Sequence, residues 1–220
     1  ILENQTNWSL CKLLSDNYIG WIRTNGLGHL ESTTHRVITK RTFLYKNKNE
    51  KSLCIHYLPL GARLSVKKIE NNWAEVYLSN KSNFNTAYVP FKHIVEVNNK
   101  VVDWVIIAEQ LINTPYKWGG RDSLGIDCSA LIQLSYQAYG ENIPRNTSEQ
   151  IKIQKPIVTE IKNLHRGCVV FWKGHVGLMV DKLNCIHANA FHMKTVIEPL
   201  DNIVMRMERN NKILKMLNFN

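Results

Sequence analysis

A change of hydrophobic period constrains this chain more than any other feature. In "GIDCSALIQLSYQAYG" (125–140) a glycine-rich stretch turns into a run with Leu131, Leu134 and Ala138 on one face, the period of a helix. From Gly167 the period switches toward two, and "GCVVFW", "HVGLMV", "NCIHA" and "KTVIEPL" read as strands of an antiparallel sheet. Upstream, "VVDWVIIAEQLIN" (101–113) has the length and spacing of another helix, stopped by Pro115. The second half is therefore α+β, with a cysteine on the helix and histidines on the strands.

Cys128 sits where that helix should begin. A helix N-terminus carries unpaired N–H groups and a partial positive charge, which favour a thiolate and make a cysteine nucleophilic. Free cysteine is also among the most buried residue types, so a small core residue is the competing reading. The position alone leaves both open. His175 opens "HVGLMV" and His187 lies on what should be the next strand. In a hairpin these two would be cross-strand neighbours, as a base and its orienting partner must be. A zinc ion held by Cys128, His175 and His187 would need a fourth ligand or an open position, and the spacings match no zinc motif. His29 and His192 lack such context and read as solvent-facing. The five cysteines (11, 54, 128, 168, 185) are odd in number, widely spaced and without a C-x-x-C pair, which favours a reducing compartment.

The first half has a different texture. "NWSLCKLLSDNYIGWIRTNGL" (7–27) aligns with "NWAEVYLSNKSNFNTAYVPFKHI" (72–94), each with Asn-Trp, an alternating stretch, a polar turn and an aromatic-rich strand. Two copies of one small β unit follow. Around the second copy, strands are expected near 36–39, 42–45, 63–69 and 73–78, with Pro59-Leu60-Gly61 as a turn. The first copy, at about 33 residues, is too short to close a barrel, so an upstream portion is expected. The organisation expected is 1–33, the C-terminal part of a first small domain; 34–97, a second; and 98–220, the α+β domain. The net charge of +10 is spread among acidic and apolar residues, so no nucleic-acid partner is expected, although an acidic substrate would profit from the field. No run reaches the length of a membrane span, and no signal-peptide layout is present.

"PYKWGGRDSLGIDCSALIQLSYQAYGENIPRNTSEQ" closely resembles the signature of the NlpC/p60 family of cell-wall cysteine peptidases. "GCVVFWKGHVGLMV…CIHANAFH" is similar to that family's histidine strands, and the likeness runs over roughly 100–200. "LPLGARLSV…NNWAEVYL…AYVP" resembles bacterial SH3-like domains, a common companion of the family. The resemblance implies a papain-like catalytic domain preceded by one or more SH3-like barrels. It implies hydrolysis of peptidoglycan stem peptides at the γ-D-glutamyl–diamino acid bond, without metal or organic cofactor. Cys128 would be the nucleophile, His175 the general base, His187 the orienting residue and Tyr116 a hydroxyl donor to the oxyanion. Gly119 and Gly120 would serve backbone shape, and Arg145 and Gln150 the scaffold.

In the SH3-bearing branch, the residues matching Asp127 and Ser129 bind the free amine of an N-terminal L-alanine, and the tyrosine of "DNYIGW", Tyr18, falls on a third amine-binding position. The alternative for Asp127 and Ser129 is capping of the helix. An amine site restricts the substrate to short peptides freed from sugar, which suits wall-fragment recycling in the cytoplasm. Two departures stand out: Cys128-Ser129-Ala130 replaces the usual Cys-Ser-Gly, and Gly167-Cys168 replaces Gly-Asp. The rival readings are a hydrolase of intact wall with SH3-like anchors, and a wall-peptide binding module without catalysis.

Overall fold

The structure is a computed structural model and describes residues 1–28, 32–78, 82–101, 103–207 and 212–220; His29 lies outside them. The chain divides into two compact units, Ile1–Asn99 and Lys100–Asn220.

The first unit is all β. Strands β1 (Glu3–Gln5), β2 (Trp8–Lys12) and β3 (Ile19–Arg23) form an antiparallel meander in which only Ser9 and Cys11 are buried. The following strands are β4 (His35–Val37), β5 (Arg41–Tyr45), β6 (Cys54–Pro59), β7 (Arg63–Leu64), β8 (Val66–Glu70), β9 (Trp73–Tyr77), β10 (Thr86–Pro90) and β11 (Ile94–Glu96). They build one sheet of order β6-β5-β10-β9-β8 and another of order β11-β4-β7. Alternation explains the core: Leu44, Ala74, Val76, Ala87 and Val89 share one face, and their neighbours lie on the opposite face, where Glu75 is buried as well. The two aligned stretches take the same course, strand, turn and strand followed by one 3-10 turn, at 24–26 after β3 and at 91–93 after β10. Strand β6 was not anticipated, because "CIHYLP" follows a charged turn and alternates only weakly.

The second unit opens with α1 (Trp104–Glu109), which is shorter than the 101–113 run suggests. Asp103 caps it at Val105 N, and the chain leaves the helix when Asn113 turns left-handed (φ 62°) and donates its N–H to Thr195 O. A two-stranded ribbon, β12 (Arg121–Asp122) and β13 (Gly125–Ile126), leads into α2 (Cys128–Tyr139) and then α3 (Thr147–Gln150). Strands β14 (Cys168–Trp172), β15 (His175–Met179), β16 (Asn184–Asn189) and β17 (Lys194–Pro199) are the four runs read from the period of two. After α4 (Leu200–Met207), β18 (Lys215–Asn218) returns beside β14, giving an antiparallel order β17-β16-β15-β14-β18.

Two packed zones hold this unit together. Val170, Trp172, Met179 and Cys185 meet Leu200 and Ile203 of α4 in one cluster. Trp104, Tyr136 and Phe219 pack their rings at centroid distances of 5.1 to 6.0 Å, which ties α1 and α2 to the C-terminal end. Cys168, at the departure from the family pattern, is a fully buried free thiol in the first of these zones. No helix among the described residues is long and apolar enough to cross a membrane.

Candidate active site

Cys128 is the first residue of α2, and the segment before it is shaped by backbone constraints. Gly119 has φ +73°, and a Cβ on Gly120 would meet the Gly125 carbonyl oxygen at 2.5 Å, so the Gly-Gly pair lets the chain fold tightly against β13. Ile126 N donates to Pro115 O and Lys117 N to Ile126 O, which fastens the segment around Tyr116 to the ribbon. Asp127 then caps the helix, its Oδ1 accepting from Ala130 N at 2.8 Å.

The Asp127 carboxylate is filled from within the site. Oδ1 also accepts from Ser129 Oγ (3.2 Å) and Arg145 Nη1 (3.0 Å), and Oδ2 from Gly119 N (3.0 Å) and Arg145 Nη2 (2.6 Å). Ser129 Oγ in turn accepts from Arg145 Nη1 at 2.8 Å. Of the two residues named as an amine site, Asp127 is thus engaged in capping and in an ion pair with Arg145, and Ser129 Oγ in hydrogen bonds with both. Gln150 Nε2 donates to Ser129 O and Pro144 O, each at 2.9 Å, and so holds the first turn of α2 from below.

Cys128 is 7 % exposed. Burial pushes its thiol up, the Asp127 charge adds to this, and hydrogen bonds with Val176 N–H, the Thr147 hydroxyl and Ser129 N–H only partly oppose it. Burial thus opposes the thiolate that a helix N-terminus favours. Tyr116 is half-buried within electrostatic reach of Cys128 and Asp127, and burial first, then these two groups, raises its hydroxyl.

The histidines meet as the sequence required, but diagonally. The register of β15 on β16 pairs Leu178 with Ile186, and a Cβ on Gly177 would lie 3.6 Å from the Cβ of His187. His175 stands two residues earlier, and its ring reaches across the space that Gly177 leaves free. His175 Nε2 lies 2.8 Å from His187 Nδ1, with the rings 5.1 Å apart and edge-on. Burial, then the neighbouring His187 and Arg206, pushes His175 down to about 3. Burial likewise lowers His187, against the opposing pull of Glu198. Burial thus works against the charged form of both Cys128 and His175. Both ring nitrogens of His187 are engaged, Nδ1 by His175 and Nε2 by Glu198 Oε1 at 2.8 Å, which leaves neither for a metal.

Sequence reasoning missed Glu198, Arg206, Asn189 and Thr147. Glu198 receives both guanidinium nitrogens of Arg206, at 3.2 Å on Oε2 and closer on Oε1. His192 is not solvent-facing: it is half-buried, with its Nε2 3.3 Å from the same Oε1. The one available signal was a lone carboxylate in the strand run "KTVIEPL". Tyr18 lies in the first unit at the start of β3's hairpin arm, 45 % exposed, with its backbone N–H on Asp16 Oδ1.

Residues 113–210, within the second unit, match the model of the family described as NlpC/P60. The gamma-D-glutamyl-L-lysine dipeptidyl-peptidase of Bacillus subtilis is 27% identical over 78% of this chain and 60% of its own length. The dipeptidyl-peptidase 6 of Lysinibacillus sphaericus is 34% identical over 43% of this chain and 34% of its own length. A probable endopeptidase NlpC homolog of Haemophilus influenzae is 28% identical over 54% of this chain and 61% of its length. The chain thus spans less than two thirds of each of these relatives. Among solved structures, an NlpC/P60 family protein from Bacillus cereus superposes with a TM-score of 0.77 over 96% of this chain and 79% of that one, at 20% identity, a likeness of fold.

Proposed function

We propose that this chain, whose residues 113–210 match the NlpC/P60 family model, is a cysteine peptidase of that family acting on peptidoglycan stem peptides at the γ-D-glutamyl–diamino acid bond. The observation that carries the reading is the 2.8 Å link between His175 and His187, together with a helix-initial cysteine whose thiol is within hydrogen-bonding reach of the backbone of Val176, the residue next to His175. In this mechanism His175 takes the Cys128 proton as the sulfur attacks the scissile carbonyl carbon. The tetrahedral oxyanion is met by the Tyr116 hydroxyl and N–H groups of the first turn of α2. As the C–N bond breaks, His175 returns the proton to the leaving amine. It then activates a water that hydrolyses the thioester and restores the thiol.

The fragment-recycling form of this reading takes a substrate with a free N-terminal L-alanine, with Tyr18, Asp127 and Ser129 as amine contacts and the cytoplasm as its place. The name of the Bacillus subtilis relative supports the bond, and the SH3-like reading of the first unit supports the branch. One specific observation favours a second form, a hydrolase of intact wall: Asp127 is already neutralised by Arg145. Mass-spectrometric digestion of L-Ala-γ-D-Glu-meso-diaminopimelate beside its N-acetylated form separates the two, with Cys128→Ala as control. Cleavage of the free-amine peptide alone, weakened by Tyr18→Phe and lost in Cys128→Ala, is the expected result. Cleavage of both peptides selects the wall hydrolase. Cleavage of neither, with Cys128 unreactive to iodoacetamide, overturns the enzyme reading in favour of a binding module.

A further inference from the structure

Resting on the reading of Cys128 and His175 as nucleophile and base, we propose that Glu198, held by Arg206, is a positioning residue that sets the proton arrangement of the histidine pair. Its carboxylate keeps His187 protonated on Nε2, so that His175 is protonated on Nε2 and presents a bare Nδ1 to the thiol.

The argument is an inventory of donors and acceptors. One hydrogen lies between His175 Nε2 and His187 Nδ1, and either nitrogen can own it. The choice is made at the far side of His187, where Nε2 has two neighbours with opposite demands. Glu198 Oε1, at 2.8 Å, accepts when ionised. Asn189 Nδ2, at 3.1 Å, only donates, and its amide orientation is fixed because Asn189 Oδ1 accepts from His192 N at 2.8 Å. With Glu198 in control, His187 carries Nε2–H and accepts at Nδ1 from His175 Nε2–H. His175 Nδ1, which has no hydrogen bond among the described residues, is then a lone pair. With Asn189 in control, His187 donates from Nδ1, His175 accepts at Nε2, and its proton moves to Nδ1. A ring in that state cannot remove a thiol proton.

The surroundings commit Glu198 to the acceptor state. Burial raises its carboxyl, but the hydrogen bonds from Arg206 and His187 outweigh this and hold it below the usual carboxylate range. Arg206 is itself fixed, with the Phe191 ring 4.4 Å from its guanidinium carbon. The His187 side chain is 2 % exposed and that of Glu198 12 %, so water does not substitute readily for the carboxylate.

The test reads the tautomers directly. The full chain is labelled with 15N-histidine, two-bond 1H–15N spectra are recorded at neutral pH, and kcat and KM are measured on the stem peptide. In the unaltered protein, His175 and His187 both show Nε2–H. Glu198→Ala is expected to move both protons to Nδ1 and to lower kcat by about 10²-fold or more, with KM within about twofold. Glu198→Gln, which keeps an acceptor oxygen, retains the Nε2–H pattern and recovers most of the rate. Removing the competing donor by adding Asn189→Ala to Glu198→Ala returns His187 to Nε2–H. If Glu198→Ala does not fold, adding Arg206→Met removes the stranded charge and carries the same measurement. Unchanged tautomers in the folded variant overturn the proposal whatever the rate does. An inactive unaltered protein with the expected tautomers overturns the peptidase reading and leaves this one standing.

Discussion

Replacing Arg145 by methionine tests how the first turn of the Cys128 helix is held. The methionine keeps the apolar stem and removes the guanidinium that contacts both oxygens of Asp127 and Ser129 Oγ. Asp127 is left nearly buried (its side chain 11 % exposed) with hydrogen bonds from Gly119 N, Ala130 N and Ser129 Oγ. Breaking one side of a buried ion pair costs ~3–5 kcal/mol, because the surviving charge stays desolvated. The three remaining donors place this case at the lower end, at about 3 kcal/mol. For a chain of this size that is a fall in Tm of about 6–12 °C.

Urea unfolding followed by tryptophan fluorescence and far-UV circular dichroism reads the loss, with the transition of the second unit fitted separately if the two units part. Asp127→Asn in the Arg145→Met background removes the stranded charge, so the double variant should be more stable than the two single losses imply, by about 1.5 kcal/mol or more. The same stranded carboxylate next to Cys128 should slow its alkylation by iodoacetamide, since the Asp127 charge already raises that thiol. A loss under about 1 kcal/mol, or strictly additive single losses, would refute the claim that Arg145 serves chiefly to neutralise Asp127.

Two further predictions concern the histidine strands. Gly177→Ala brings a Cβ to 2.4 Å from Cys185 Sγ, a fully buried atom, and should cost about 1–3 kcal/mol by overpacking; Cys185→Ala in the same chain should restore much of the loss in a thermal melt. His175 is held at about 3, against 6.5 for an ordinary histidine, so between those values the unfolded chain binds a proton that the native one refuses. That contribution to stability is complete above about pH 6.5 and is lost as pH falls toward about 3, by up to about 1.4 kcal/mol per unit. Stability measured from pH 7 to pH 4 should therefore fall less steeply in His175→Asn, and parallel curves would show that burial of His175 does not govern its titration.

Much of the second unit was legible because its periods are unmixed. The run from Cys128 carries Leu131, Leu134 and Ala138 at helical spacing, and the strand runs are short apolar stretches separated by turns and buried almost throughout in β14, β15 and β16, so helix, sheet and the meeting of His175 with His187 follow from length and order. What escaped depends on register and on single hydrogen bonds. Helix α1 stops at Glu109 because Asn113 takes a left-handed turn that gives its N–H to β17, a tertiary contact with no local mark. Strand β18 was unread because its four residues need β14 as a partner before they form anything. Glu198 was unread for a related reason. Its partner in the ladder is Cys185, and only that pairing brings its carboxylate to the diagonal of His187.

The site's charges explain why proton placement matters more than charge. Two carboxylates flank the cysteine and histidine: Asp127 at the start of α2 and Glu198 beyond His187. Each is matched by an arginine, Arg145 and Arg206. Burial disfavours both a thiolate at Cys128 and an imidazolium at His175, and the Asp127 charge adds to this at the thiol. A neutral pair can react only if the imidazole's lone pair faces the thiol, which is a property of the tautomer. As proposed above, the second histidine does more than orient the first. A single asparagine or aspartate in its place would hold the ring, whereas a histidine passes on the hydrogen-bond polarity set one residue further out. That transmission requires an acceptor behind it, and Glu198 Oε1 at 2.8 Å supplies one.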